Sequence, residues 1–73
     1  MLYADMDVHK KFCQVIICTK EGEVIKEGKI RTNEEVKKFF YGIKDLKVAI
    51  EASTNYSYIV DALAKEGYEV SMA

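Results

Sequence analysis

The sequence predicts a small α/β domain on a mixed five-stranded sheet, in the chain order β-β-β-α-β-α-β. Three observations carry this. Apolar residues alternate at every second position at the start of the chain. Their period changes to that of a helix after Arg31. A short apolar stretch, Lys47 to Glu51, then lies between two helical stretches, so it reaches a sheet in parallel only through a crossover.

The elements follow in order. Leu2, Ala4, Met6 and Val8 alternate with Tyr3, Asp5, Asp7 and His9, a period-two strand. Phe12 to Thr19 is β-prone and almost wholly apolar, which predicts a strand buried on both faces. The intervening His9-Lys10-Lys11 is short enough for a hairpin. Lys20-Glu21-Gly22-Glu23 reads as a polar turn, with glycine at a left-handed position. Val24 to Ile30 is a third, more polar strand that completes an antiparallel meander. Thr32-Asn33-Glu34-Glu35 fits a capping box, and Val36, Phe39, Phe40 and Ile43 follow on one helical face. The Phe39-Phe40-Tyr41 run is expected to lie against the sheet, and Gly42 falls near the helix end. After the strand at Lys47 to Glu51, Ser53-Thr54-Asn55 offers cap residues. Tyr56, Ile59, Val60 and Leu63 form a second apolar stripe, with Asp61 expected in solvent. Lys65 and Gly67 stop that helix, and Tyr68 to Ser71 is a fifth strand, cut off at Ala73.

Composition sets bounds. The 73 residues allow a single domain, and 49% apolar content is that of a globular chain. Below roughly 70–80 residues one core rarely supplies more than about 3–5 kcal/mol of net stability. The chain is therefore expected either to belong to something longer or to associate as a homodimer or higher homo-oligomer. A net charge of −1 gives no support for a dedicated nucleic-acid binder, although it is compatible with an enzyme whose basic contacts lie elsewhere. Cys13 and Cys18 would face opposite sides of one strand, which rules out their pairing with each other there. They read as reduced packing residues, consistent with a cytoplasmic protein. No apolar run approaches the about 20 residues of a membrane span, and the N-terminus lacks the pattern of a signal peptide.

The chemistry is expected at two strand ends. Apolar residues run straight into Asp7 in the first strand and into Glu51 in the fourth. A carboxylate there is costly unless it is paired, hydrogen-bonded or bound to a cation. Three antiparallel strands followed by α-β-α-β is the chain order of the ribonuclease H-like fold, whose first strand lies centrally beside the strand after the first helix. That order would bring Asp7 and Glu51 together as a hard-cation site. Displacement at a phosphodiester uses such sites: two divalent ions about 3.5–4 Å apart activate the attacking oxygen and stabilise the leaving one. Mg²⁺ favours carboxylate oxygen and keeps several waters, which makes Mg²⁺ or Mn²⁺ the expected metal. Asp5, on the strand face of Asp7 but one step back from the end, is a candidate further ligand. Imidazole suits Mg²⁺ poorly, so His9 reads as a hairpin residue or neighbour of Asp7. Lys10 and Lys11 read as a solvated turn, with phosphate contact as the alternative. The tyrosines, Tyr3, Tyr41, Tyr56, Tyr58 and Tyr68, scatter as core and rim.

Asp7-Val8-His9-Lys10-Lys11, with the β-rich Phe12 to Cys18 behind it, resembles the opening of the DEDD-type transposases related to the Piv and MooV DNA invertases. Ile50-Glu51-Ala52-Ser53, followed by Asn55-Tyr56, resembles that family's second acidic motif, and Gly67-Tyr68-Glu69-Val70 is similar as well. The resemblance spans essentially the whole chain. It implies the N-terminal, RuvC-like ribonuclease H part of a recombinase that cleaves and exchanges DNA strands with Mg²⁺, guided in some members by an RNA. The family's acids read Asp, Glu, Asp, Asp. Asp7 matches the first and Glu51 the second, while the last two would fall past Ala73. The resemblance therefore implies a segment that is inactive alone. Two positions depart from the pattern: Asp5 and Thr54 stand where glycine is common. Two alternatives belong to other classes. One is a small self-associating module that keeps the fold without catalysis, joined through exposed sheet edges. The other is an actin-like nucleotide binder, disfavoured because Val8-His9-Lys10-Lys11 contains no glycine.

Overall fold

A computed structural model describes residues 1–52 and 57–72. It contains β1 (Leu2–Val8), β2 (Cys13–Thr19), β3 (Val24–Ile30), α1 (Asn33–Phe40), β4 (Leu46–Ala52), α2 (Ser57–Lys65) and β5 (Glu69–Met72). The proposed caps Ser53, Thr54 and Asn55, the stripe residue Tyr56 and the terminal Ala73 lie outside the described residues.

The strands form one five-stranded sheet in the order β3-β2-β1-β4-β5. The β1–β2 and β2–β3 pairs are antiparallel, whereas β1–β4 and β4–β5 are parallel. The fold is thus a small α/β domain on a mixed sheet with two helices, and β1 lies at its centre as the chain order predicts.

Alternation in β1 divides the sheet into two faces. Ala4, Met6 and Val8 are buried, and Tyr3, Asp5 and Asp7 point the other way and are exposed. The buried set continues across the sheet through Cys13, Val15, Ile17, Ile30, Val48 and Ile50. Val36 and Phe40 of α1 and Ile59 and Leu63 of α2 close that core from above. Because both helices pack on this face, the opposite face stays open among the described residues.

That asymmetry corrects the expectation for β2. Cys13, Val15 and Ile17 are buried, but Gln14, Ile16 and Cys18 are only half-buried on the open face. An apolar run on a central strand predicted cover on both sides, yet no described element packs over its second side. Cys13 and Cys18 are free thiols on opposite faces.

Local chemistry fixes the connections. The β2–β3 turn places Gly22 at φ +90°, a left-handed angle that glycine reaches without a Cβ clash, and the Gly22 amide donates to the Thr19 carbonyl at 2.9 Å. At the start of α1 the Thr32 hydroxyl accepts from the Glu35 amide at 3.2 Å. The Glu35 carboxylate reaches past the cap to accept from the Arg31 amide at 2.7 Å. The helix stops at Phe40, so Ile43 packs on the core from the following loop. Tyr41 is 88% exposed, which corrects its expected place on the packed face: it caps the helix with non-helical backbone that turns the side chain outward. The Tyr68 hydroxyl ties this loop to β5, lying 3.0 Å from the Phe40 carbonyl and 2.7 Å from that of Ile43. Gly28 faces Phe39, and a Cβ there would sit 3.1 Å from the ring. Asp61 is exposed, as expected. Among the described residues no helix is long and apolar enough to cross a membrane.

Candidate functional site

The register brings the two strand-end acids together. Asp7 of β1 is the direct partner of Glu51 in parallel β4, and both side chains are exposed on the open face. Neighbouring strands lie about 4.8 Å apart, so the two carboxylates rise side by side from adjacent backbones. Asp7 also pairs with Gln14 of β2, and Gln14 with Lys29 of β3. One continuous row therefore crosses four strands: Lys29, Gln14, Asp7, Glu51. The next row back holds Glu27, Ile16, Asp5 and Ala49. Asp5 thus shares the face of Asp7 but stands between two apolar neighbours.

Together Asp5, Asp7, Gln14, Ile16, Ala49 and Glu51 line a shallow depression of about 370 Å³. It is open to water.

The β1–β2 hairpin fixes one side of this rim. The His9 amide donates to the Phe12 carbonyl at 2.8 Å, and the His9 ring lies on the Phe12 ring with centroids 4.8 Å apart. From that position His9 Nε2 sits 3.1 Å from Asp7 Oδ2. The pair is well exposed, 43% for His9 and 55% for Asp7, so its contribution to stability is at most about 1 kcal/mol. Its consequence is orientational: one oxygen of Asp7 is held toward the hairpin. Lys29 Nζ stands 4.9 Å from the Phe12 ring centroid. Lys10 and Lys11 are exposed at the hairpin tip.

Beneath the rim, Cys13 is buried on the core face as the partner of Val8. Burial, with the Asp7 charge second, pushes its thiol up to about 11. A thiol so raised is protonated at neutral pH, which removes it as a nucleophile or soft-metal ligand.

The donors fit a hard cation. Asp7 and Glu51 present carboxylate oxygens from rigid strands, with Asp5 one row behind, and the only nearby imidazole is already engaged with Asp7. Among the described residues no three His, Cys, Asp or Glu side chains converge as a metal-ligating cluster. The arrangement is a facing pair with an open side, to which water or further ligands must contribute.

The sequence named Asp7, Glu51 and Asp5 as acids and Lys10 and Lys11 as the hairpin beside them; the three acids lie on the open face, and the two lysines are exposed in the β1–β2 connection. It also adds Gln14, Lys29 and Phe12. Their signal lay in strand parity, Phe12 and Gln14 sharing the face of Asp7 across the hairpin, but only the β2–β3 register brings in Lys29. Comparison of the chain with protein-family models and with curated proteins finds no match.

Proposed function

We propose that this chain is the N-terminal part of a ribonuclease H-like catalytic domain of the DEDD-transposase type, which cleaves and transfers DNA strands with Mg²⁺ or Mn²⁺. The observation that carries this reading is the in-register Asp7–Glu51 pair at the ends of the central parallel strands. The strand order β3-β2-β1-β4-β5 supports it, since an antiparallel meander with its first strand beside the fourth is the arrangement of that fold. Asp7 and Glu51 would hold the cation, and Asp5 would add negative charge from the row behind. Bound there, a divalent ion supplies Lewis-acid activation of a phosphodiester. The chain's own contribution is to fix two carboxylates on a rigid sheet, with Asp7 steered by His9. The pair makes up half of the acid set, so strand cleavage needs two further carboxylates. The proposed setting is the cytoplasm, where both thiols stay reduced.

Calorimetric titration with Mn²⁺ tests the site. Wild type is expected to bind, and Asp7→Ala and Glu51→Ala each to abolish or greatly weaken binding. Unchanged binding in both variants would sink the metal reading.

A second reading, self-association without catalysis, is favoured by one observation. The β3 edge displays Val24 and Ile25 at 54% and 49% exposure. Sedimentation tests it, because this reading requires a dimer or larger species at micromolar concentration and a purely monomeric chain would contradict it.

A further inference from the structure

The open face is electrically divided at the level of the acid pair. Lys29 and Gln14 occupy the β3–β2 half of the row, and Asp7 and Glu51 the β1–β4 half. Lys10 and Lys11 stand at the adjoining hairpin tip, consecutive and exposed. We propose that Lys29, Gln14, Lys10 and Lys11 form a track for the phosphodiester backbone of DNA, which crosses the strands and delivers a phosphate to the Asp7–Glu51 pair. This rests on the DNA-processing reading above and names the surface that would hold the substrate.

Three features support a built track. The first is spacing. Lys29 and Asp7 lie two strand spacings apart, about 10 Å. The roughly 3.4 Å per charge of one strand is a rise along the helix axis, and along the backbone itself neighbouring phosphates lie farther apart, so that span corresponds to about one or two phosphodiester steps. A backbone seated on Lys29 would therefore bring a following phosphate to the acid pair.

The second feature is preorganisation. The Lys29 ammonium lies 4.9 Å from the Phe12 centroid, the Phe12 and His9 ring centroids are 4.8 Å apart, and His9 Nε2 sits 3.1 Å from Asp7 Oδ2. The cation and the candidate metal ligand are thus positioned through one aromatic shelf. Gln14 Nε2 lies 3.4 Å from the Gly28 carbonyl, a long contact that leaves its second N–H available to a phosphate oxygen.

The third feature is contrast with the opposite end of the sheet. There the cations are interleaved with acids: Lys47 lies 3.6 Å from Glu69, Lys20 precedes Glu21, and Lys44 precedes Asp45. Arg31 continues the cation line on the site side, but it adjoins Glu34 and Glu35 at the start of α1 and is not part of the proposed track. Glu27 sits one row behind Lys29 and limits the track to the outer row.

The test is fluorescence anisotropy with labelled DNA in EDTA, so that divalent metal plays no part. Lys29→Glu and the Lys10→Glu/Lys11→Glu double variant are expected to weaken binding roughly threefold to tenfold per lysine at low salt. For duplex DNA, the slope of log affinity against log salt should fall by about 0.9 for each phosphate contact removed. Lys29→Arg should retain binding. Lys20→Glu and Lys44→Glu, at the far end, should leave it within about twofold, the size of a general charge effect. No measurable binding by wild type, or equal losses at the two ends, overturns the proposal. So does a Lys29→Glu variant that binds like wild type. Mn²⁺ titration of the same variants keeps the readings apart: intact Mn²⁺ binding with an inert rim removes only the track, and an active rim without Mn²⁺ binding removes only the metal site.

Discussion

Ile16 and Ile17 are neighbours in β2 with the same side chain, yet they live in different surroundings. Ile17 is fully buried beneath the helices, whereas Ile16 lies half-buried beside Asp5 on the open face. The same division runs through β1, where Met6 is sealed in the core between exposed Asp5 and Asp7. One face is packed by the helices, and the other, which carries the acids, is open among the described residues. Because strand side chains alternate, each chemical residue stands directly on backbone clamped by the core behind it. The carboxylates are exposed, but their positions are fixed by the burial of Met6, Val8 and Ile50.

The largest effect that would break this comparison is in the core. Ile17→Ala should cost about 2–5 kcal/mol in denaturant melts, and Ile16→Ala about 1 kcal/mol or less. Equal costs would mean that the open face is covered in solution. A cost for Ile16→Ala that rises with protein concentration would identify a second copy of the chain as the cover.

Gly28→Ala comes next. The added Cβ would lie 3.1 Å from the Phe39 ring, so the ring must give by a few tenths of an ångström, at an expected cost of about 1 kcal/mol. A neutral result would show that the Phe39 ring yields without loss of packing. Thr32→Ala removes the hydroxyl that accepts from the Glu35 amide, and about 1 kcal/mol should be lost in the same melts.

A smaller effect is expected with pH. Burial first and Asp7 second raise the Cys13 thiol from 9.0 to about 11. A thiol raised in the folded state adds stability that is full below pH 9 and is lost as pH climbs toward 11. Cys13→Val should therefore flatten the fall in melting temperature over that window. Tyr68, raised mainly by burial and then by Glu66, changes in the same direction but is common to both proteins and cancels in the comparison. Identical pH slopes would contradict the buried, neutral thiol. The smallest effect belongs to the open face: Asp7→Asn and Glu51→Gln should change stability by no more than about 0.5 kcal/mol. A large loss would assign these acids to the scaffold.

Much of this division was legible in the sequence, and the parts that were not have physical causes. The alternation of Ala4, Met6 and Val8 with Tyr3, Asp5 and Asp7 showed the two faces, because a central strand with one buried side must alternate. The capping box at Thr32 and the turn at Gly22 were equally readable, since both are local chemistry. The Phe12 to Thr19 run was less so. Its apolar content does not record that only one side of the sheet is packed, and Ile16 and Cys18 read as core for that reason. Tyr41 was misplaced because helical spacing does not reveal that the helix stops at Phe40. The row that joins Lys29 to Asp7 depends on the β2–β3 register, and that register shifts at Ile17/Cys18. Such an irregularity arises from strand twist and packing and leaves no signature in residue order. The acid pair was legible as two strand ends that the chain order predicts to be neighbours; their direct pairing in register follows from the parallel β1–β4 ladder.

The most direct test of the central claim is paramagnetic broadening of backbone amide signals by Mn²⁺. The account predicts that substoichiometric Mn²⁺ broadens the amides of Asp7 and Glu51 first, then those of Asp5 and Gln14, with the far end of the sheet around Lys20 and Lys44 unaffected. Asp7→Asn and Glu51→Gln should each abolish the pattern. Broadening centred elsewhere, or unchanged in both variants, would contradict the claim that these two carboxylates form a cation site.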